Sequence, residues 1–154
     1  MKLNEKLNKT YINYGSAAPA AKARQMAQDK NAEAKAESGA QVQRIISKSS
    51  ANYCNTAWDL VDACKQKDFD LTKVKEADLP EEMRKMTVDE RKAYLATKTA
   101  EREVIQQQVL TLNKEREVYV STKRKESAQT DTLDTAMVKA LRTQAEKKGI
   151  AWEK

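Results

Sequence analysis

Few side chains in this sequence have both the type and the spacing to do chemistry. Adjacent acids occur at Glu81/Glu82 and Asp89/Glu90. Paired carboxylates can divide general-acid and general-base work when their surroundings push their proton affinities apart. Both pairs fall where a helix is expected to start, and the helix dipole explains acids in a first turn. Asp59 and Asp62 follow Trp58 on what reads as an amphipathic helix, where a solvated face accounts for them. Histidine is absent, which removes the commonest general base and metal ligand. No Cys-x-x-Cys pair, P-loop or Asp-x-Ser-x-Ser string occurs, and three glycines are too few for a dinucleotide-binding turn. The expectation is no catalytic residue, no cofactor and no metal.

Cys54 and Cys64 lie ten residues apart. On one helix they would sit about 80° apart around the axis and about 15 Å apart along it, too far for a disulfide. They are expected as buried small hydrophobes.

The elements that would position these groups are helices. Aromatics make up 5% of the chain and charged residues 34%, and Gly and Pro together number five; this is a composition of long helices with a thin core. The dominant stretch is Thr87–Ala128, without Pro or Gly and rich in strong helix formers. Thr87 and Glu90 form a capping-box pattern at its start. One helix over 87–128 would be about 60 Å long at 1.5 Å per residue, so part of it should run along a partner or into solvent. Its apolar residues include Leu95, Ile105, Val109, Leu112 and Tyr119. The column Leu95, Arg102, Val109, Arg116 alternates apolar and basic, unlike a sustained coiled coil. That pattern predicts a packed middle with one or both ends solvated.

The remaining chain divides by composition. Residues 1–15 open helically at Leu3 and Leu7, turn β-like at Thr10–Tyr14 and stop at Gly15. They read as an exit segment from a missing preceding domain, because a lone strand lacks a partner; Tyr11, Ile12 and Tyr14 are then an exposed apolar patch or a docking strip. Residues 16–48 read as an Ala-rich helix or partly ordered linker, with Pro19 in a first turn and a break at Gly39. Residues 49–154 read as a helical module. Within it, Ser49–Lys67 is the best amphipathic helix, with Ser50 or Asn52 as cap and Trp58, Leu60, Val61 and Phe69 as core. Asp70 and Pro80 start short turns. A polar break at Ser127–Thr132 precedes a C-terminal helix over 132–148 that presents Leu133, Met137 and Leu141, ends at Gly149 and leaves Ile150 and Trp152 as a tail that folds back.

Six strings taken together resemble a known family region: LNKTYINYG (7–15), ARQMAQDKNA (23–32), SKSSANYCNTAWDLVDA (47–63), DLPEEMRKMTVDERKAY (78–94), LNKEREVY (112–119) and the stretch 132–149. They resemble, in order and over nearly the whole chain, the C-terminal helical extension of bacterial von Willebrand factor type A (VWA) domain proteins. Asn13 stands where that pattern has Pro. The resemblance implies a preceding VWA domain, a doubly wound fold that binds protein ligands through a divalent metal. None of that domain's metal residues maps onto this chain, and the resemblance supplies no catalytic role.

The expected architecture is therefore all-α and elongated around one long helix, and the expected function is a non-catalytic structural or protein-interaction module. The expected partner is a protein or a preceding VWA domain. Self-association as a coiled coil is the alternative, drawn from the seven-residue spacing of Ile105, Leu112 and Tyr119. A basic surface for nucleic acid or anionic lipid is disfavoured, because acids alternate with bases along the long helix. The candidate interaction surface is Tyr11, Tyr14, Lys123, Arg124 and Lys125. A natural start at Met1 would imply a cytoplasmic product, since no apolar signal segment follows it; proteins of the family it resembles are often exported.

Overall fold

The computed structural model describes residues 2–35, 39–127 and 133–149. It is all-α: α1 (Lys2–Asn8), α2 (Ala18–Ala34), α3 (Ala40–Ser49), α4 (Leu60–Ala63), two 3-10 turns (Leu71–Lys73 and Glu76–Asp78), α5 (Glu81–Arg84), α6 (Val88–Ser127) and α7 (Leu133–Lys147). Among the described residues the only β-type pairing is an isolated antiparallel bridge between Asn13 and Asp59. The chain divides into two compact units, Met1–Asn113 and Lys114–Lys154. No helix among the described residues is long and apolar enough to cross a membrane.

Local chemistry sets the element ends. The Glu90 carboxylate accepts the Thr87 N–H at 2.7 Å, and the Glu90 N–H donates to the Thr87 hydroxyl at 3.3 Å. This is the expected capping box, and it starts α6 at Val88. The Asp70 carboxylate accepts the Thr72 N–H and begins the first 3-10 turn. Pro19 occupies the first turn of α2. At Gly39 the backbone is left-handed, with φ 75°, so the chain stops and restarts as α3 at a place where a side chain would be strained. Gly149 closes α7 with φ 73° and donates its N–H to the Glu146 carbonyl. The expected break at 128–132 and the tail residues Ile150 and Trp152 lie outside the described residues.

The core of the first unit joins Ile12, Leu60, Val61, Leu71, Leu79, Met83 and Leu95, with Tyr14, Phe69, Val74, Met86 and Tyr94 packed against them. The short helices thus deliver Leu and Met side chains onto the start of α6. Arg91 donates to the Met83 and Arg84 carbonyls and so ties α6 to the end of α5. A second cluster sets Trp58 against Ala18 and Ala21 of α2, with Tyr11 beside it.

Three expectations change. Ser49–Lys67 is not one helix: only Leu60–Ala63 is helical, and Asp59 is its cap rather than Ser50 or Asn52. The run of Ser, Asn and Thr offers local hydrogen bonds that compete with a helix. Ser50 Oγ bonds the Ser47 carbonyl, and the Asp62 carboxylate takes the Asn55 N–H. Cys54 and Cys64 are both exposed rather than buried, and the helical spacing applied to them does not exist. Finally, residues 10–14 have a partner: Tyr14 N–H donates to the Trp58 carbonyl and Leu60 N–H to the Ile12 carbonyl.

Candidate functional site

The groups with chemical potential gather in two buried clusters within the first unit. The first is centred on Arg102 of α6, whose side chain is 2% exposed. Its five N–H donors meet five acceptors. Nη1 bonds Asp59 Oδ2 at 2.6 Å and Asp62 Oδ1 at 3.0 Å. Nη2 bonds Asp59 Oδ1 at 3.2 Å and the Thr10 carbonyl at 2.7 Å, and Nε bonds the Thr10 hydroxyl at 3.0 Å. Asp59 also accepts the Ile12 and Asp62 N–H groups. Burial works to lower the Arg102 pKa, but the Asp59 hydrogen bonds and charge outweigh it and hold the guanidinium above its ordinary value. Burial pushes the Asp59 carboxyl up, and the Arg102 hydrogen bond opposes it. A planar fork with five donors is the side chain suited to such a site, where an ammonium would leave acceptors unmet.

The second cluster is centred on Lys48 of α3, whose side chain is fully buried. Its ammonium donates to Asn4 Oδ1 at 2.9 Å, to Asn8 Oδ1, and to Asp29 Oδ2 at 2.7 Å. Asp29 also accepts from the Asn8 amide and from Arg44 Nε, both at 2.9 Å. Burial raises the Asp29 carboxyl, but hydrogen bonds from Lys48, Asn8 and Arg44 prevail and bring it down to about 2. Burial lowers the Lys48 ammonium, with Asp29 opposing. The cluster fastens α1, α2 and α3 together. An open cleft of about 420 Å³ lies beside it, lined by Asn4, Asn8, Asp29, Glu33 and neighbours.

Tyr11 joins the two clusters. Its ring stacks on Trp58 with centroids 5.5 Å apart, lies 4.4 Å from the Arg102 guanidinium carbon and 5.8 Å from Lys48 Nζ. A cation over an aromatic face gains from the ring quadrupole, most when desolvated. Tyr14 donates its hydroxyl to the Thr56 carbonyl and sets its ring edge-to-face with Phe69. Both tyrosines, expected as an exposed or docking strip, are half-buried and engaged inside the fold. Lys123, Arg124 and Lys125 are exposed on α6; Lys123 pairs with Glu126 at 2.6 Å.

The sequence pattern puts Asp59 and Asp62 on a solvated face and makes Arg102 an interruption of the apolar column. All three are buried. The available signal was the position of Arg102 midway between Leu95 and Val109, its two core neighbours in the seven-residue column. Lys48, after Ile45 and Ile46, carried a similar signal.

A third feature is open. A groove of about 650 Å³ is lined by Leu3 of α1 and by Glu103, Val104, Gln107, Gln108, Thr111 and Leu112 of α6. Val104 and Leu112 are more than half exposed. In the second unit, Leu133, Met137 and Leu141 of α7 are likewise exposed.

Fold and site together define an all-α protein with two buried ion-pair clusters in its first unit and an open groove beside α6. No family model, no curated protein and no solved structure matches the chain.

Proposed function

We propose that this chain is a non-catalytic structural or protein-interaction module, the C-terminal helical part of a VWA-domain protein. The observation that carries the reading is the saturation of its charged interior. Each Arg102 donor has an acceptor, and the three Lys48 donors meet three oxygens. A general base or nucleophile needs a free lone pair facing substrate, and these groups offer none. Their geometry instead ties the N-terminal segment to α6 through Arg102 and fastens α1, α2 and α3 together through Lys48. The strings that carry the family resemblance supply many of the members: Asn8, Thr10, Tyr11, Asp29, Lys48, Asp59 and Asp62. In this reading the segment after a VWA domain is a rigid junction, pinned at Thr10 and Ile12, rather than a free linker.

Two measurements test this. The reading frame immediately upstream should encode a VWA domain; an unrelated frame with its own stop codon before Met1 removes the VWA context. Turnover of hydrolase and transferase model substrates should be absent. Activity that purifies with the chain and is lost in a folded Lys48→Met or Arg102→Met variant refutes the non-catalytic reading.

A further inference from the structure

The second unit carries an amphipathic helix whose apolar face is exposed. We propose that α7 is a surface anchor for anionic lipid. It lies flat on a bilayer rich in acidic headgroups and turns Leu133, Met137, Val138 and Leu141 into the acyl boundary. The inference goes beyond the interaction role proposed above and does not depend on it.

The sequence of α7 sets the geometry. At about 100° per residue, Leu133, Met137, Val138, Ala140 and Leu141 fall within one arc of about 160°. Leu133, Met137 and Leu141 are each more than half exposed, and Val138 is nearly so. Among the described residues of the helix only Ala145 is half-buried, and the others are exposed. The face is therefore not used for packing within the unit. Large apolar side chains grouped in water are unfavourable, and such a patch marks a contact with something outside the chain.

Charge selects what that is. Arg142 borders the arc about 40° beyond Val138, and Lys147 borders its other edge about 20° beyond Ala140. Both are exposed, and among the described residues neither is held in an ion pair. A base at each edge of an apolar floor suits a helix lying in a lipid interface. The aliphatic stems follow the apolar surface and the cationic heads reach the phosphates. Glu146 is the one acid in residues 136–147, and it stands about 160° from the centre of the arc, away from the headgroups. Asp134 stands in the first turn, where the helix dipole favours an acid. The alternation of acids and bases that counts against an anionic partner along α6 is thus missing from residues 136–147. An anionic bilayer supplies negative charge along both edges at once, whereas a second α7 brings bases, not acids, to both edges. At about 22 Å the helix is too short to span. One helix gives a weak and salt-sensitive contact.

Flotation of the full chain with vesicles tests it. The expected result is capture at low salt by vesicles of equal phosphatidylglycerol and phosphatidylcholine, at least about tenfold stronger than by phosphatidylcholine alone, and release at high salt. Met137→Gln/Leu141→Gln keeps the charge and should lower capture at least about tenfold; circular dichroism confirms that the variant is folded. The inserted face is read in a Cys54→Ser/Cys64→Ser chain, because both native thiols are exposed. A polarity-sensitive fluorophore on Leu141→Cys should brighten with the anionic vesicles, and the same label on Lys139→Cys, on the opposite side of the helix, should not. No capture by anionic vesicles at low salt overturns the proposal and leaves the face to another protein. Equal capture by the neutral vesicles overturns the choice of an anionic surface. Capture that survives Met137→Gln/Leu141→Gln, or labels that brighten equally at both positions, overturns the insertion of this face. None of these outcomes touches the turnover test or the upstream reading frame.

Discussion

Removing Arg102 is the sharpest test of how this fold is held. Arg102→Ala deletes five hydrogen bonds and strands the Asp59 and Asp62 carboxylates, which are 0% and 6% exposed. Breaking a buried ion pair from one side costs about 3–5 kcal/mol, because the remaining charge is left desolvated. That is a large part of the 5–15 kcal/mol typical of a domain. Urea unfolding followed by far-UV circular dichroism should show a midpoint shift of that size at neutral pH. The pH dependence gives the mechanism its signature. Burial already raises the Asp59 carboxyl, and without the opposing guanidinium its folded-state pKa rises further above the unfolded value. Between those two values the folded variant binds more protons than the unfolded chain, so its stability rises as pH falls, by up to about 1.4 kcal/mol per pH unit for each proton. The deficit against wild type should therefore be smaller at pH 5 than at pH 8. Arg102→Lys should recover only part of the loss, since an ammonium cannot bond both carboxylates and both Thr10 oxygens. A deficit below about 1 kcal/mol, or one that does not change with pH, refutes the view that this guanidinium pins the N-terminal segment to α6.

Other expectations follow from single contacts. Asp29 sits near 2 against an ordinary 3.8, so its contribution is full above pH 4 and is lost as pH falls towards 2; Asp29→Asn should flatten the urea midpoint across that window, and an unchanged slope counts against the Lys48 cluster. Asn13 leaves Oδ1 buried and unbonded, and the two bridge hydrogen bonds come from Tyr14 and Leu60 rather than from its own N–H. Asn13→Pro should therefore raise stability by about 0.5–1 kcal/mol, and a fall in melting temperature would show that the backbone there rejects proline. Thr87→Ala removes the hydroxyl that accepts the Glu90 N–H and should cost about 1 kcal/mol, read as faster amide exchange in the first turn of α6; unchanged exchange there refutes the cap's role.

How far the sequence revealed the fold depends on the range of the interaction. Local signals read correctly: the Thr87/Glu90 box, Gly39 and Gly149, Pro19, the Asp70 turn and the pattern that starts α6. Each acts within four residues, so the string contains both partners. The all-α class follows from composition for the same reason. Long-range pairing did not read. Thr10 and Arg102 are 92 residues apart, and no helical period connects a guanidinium to a bridge strand that precedes it in the chain. Without that partner, Thr10–Tyr14 reads as a strand with nothing to pair with, and Asp59 and Asp62 read as solvated.

The same error explains why the candidate surface moved. A charge in an apolar column has two physical resolutions: the column ends in solvent, or the charge is buried with counter-charges brought from elsewhere. Arg102 takes the second course, and two acids three residues apart at 59 and 62 are the complement it requires. Once Arg102 is inside, Leu95, Ile105 and Val109 share its buried stripe, and α6 is anchored by one face over this span. On the opposite face Val104 stays exposed, and the Ile105 column itself emerges into solvent at Leu112, because a helix of this period cannot bury both sides against one layer of short helices. The tyrosines at 11 and 14, consumed by Trp58, Arg102 and Phe69, form no exposed docking strip.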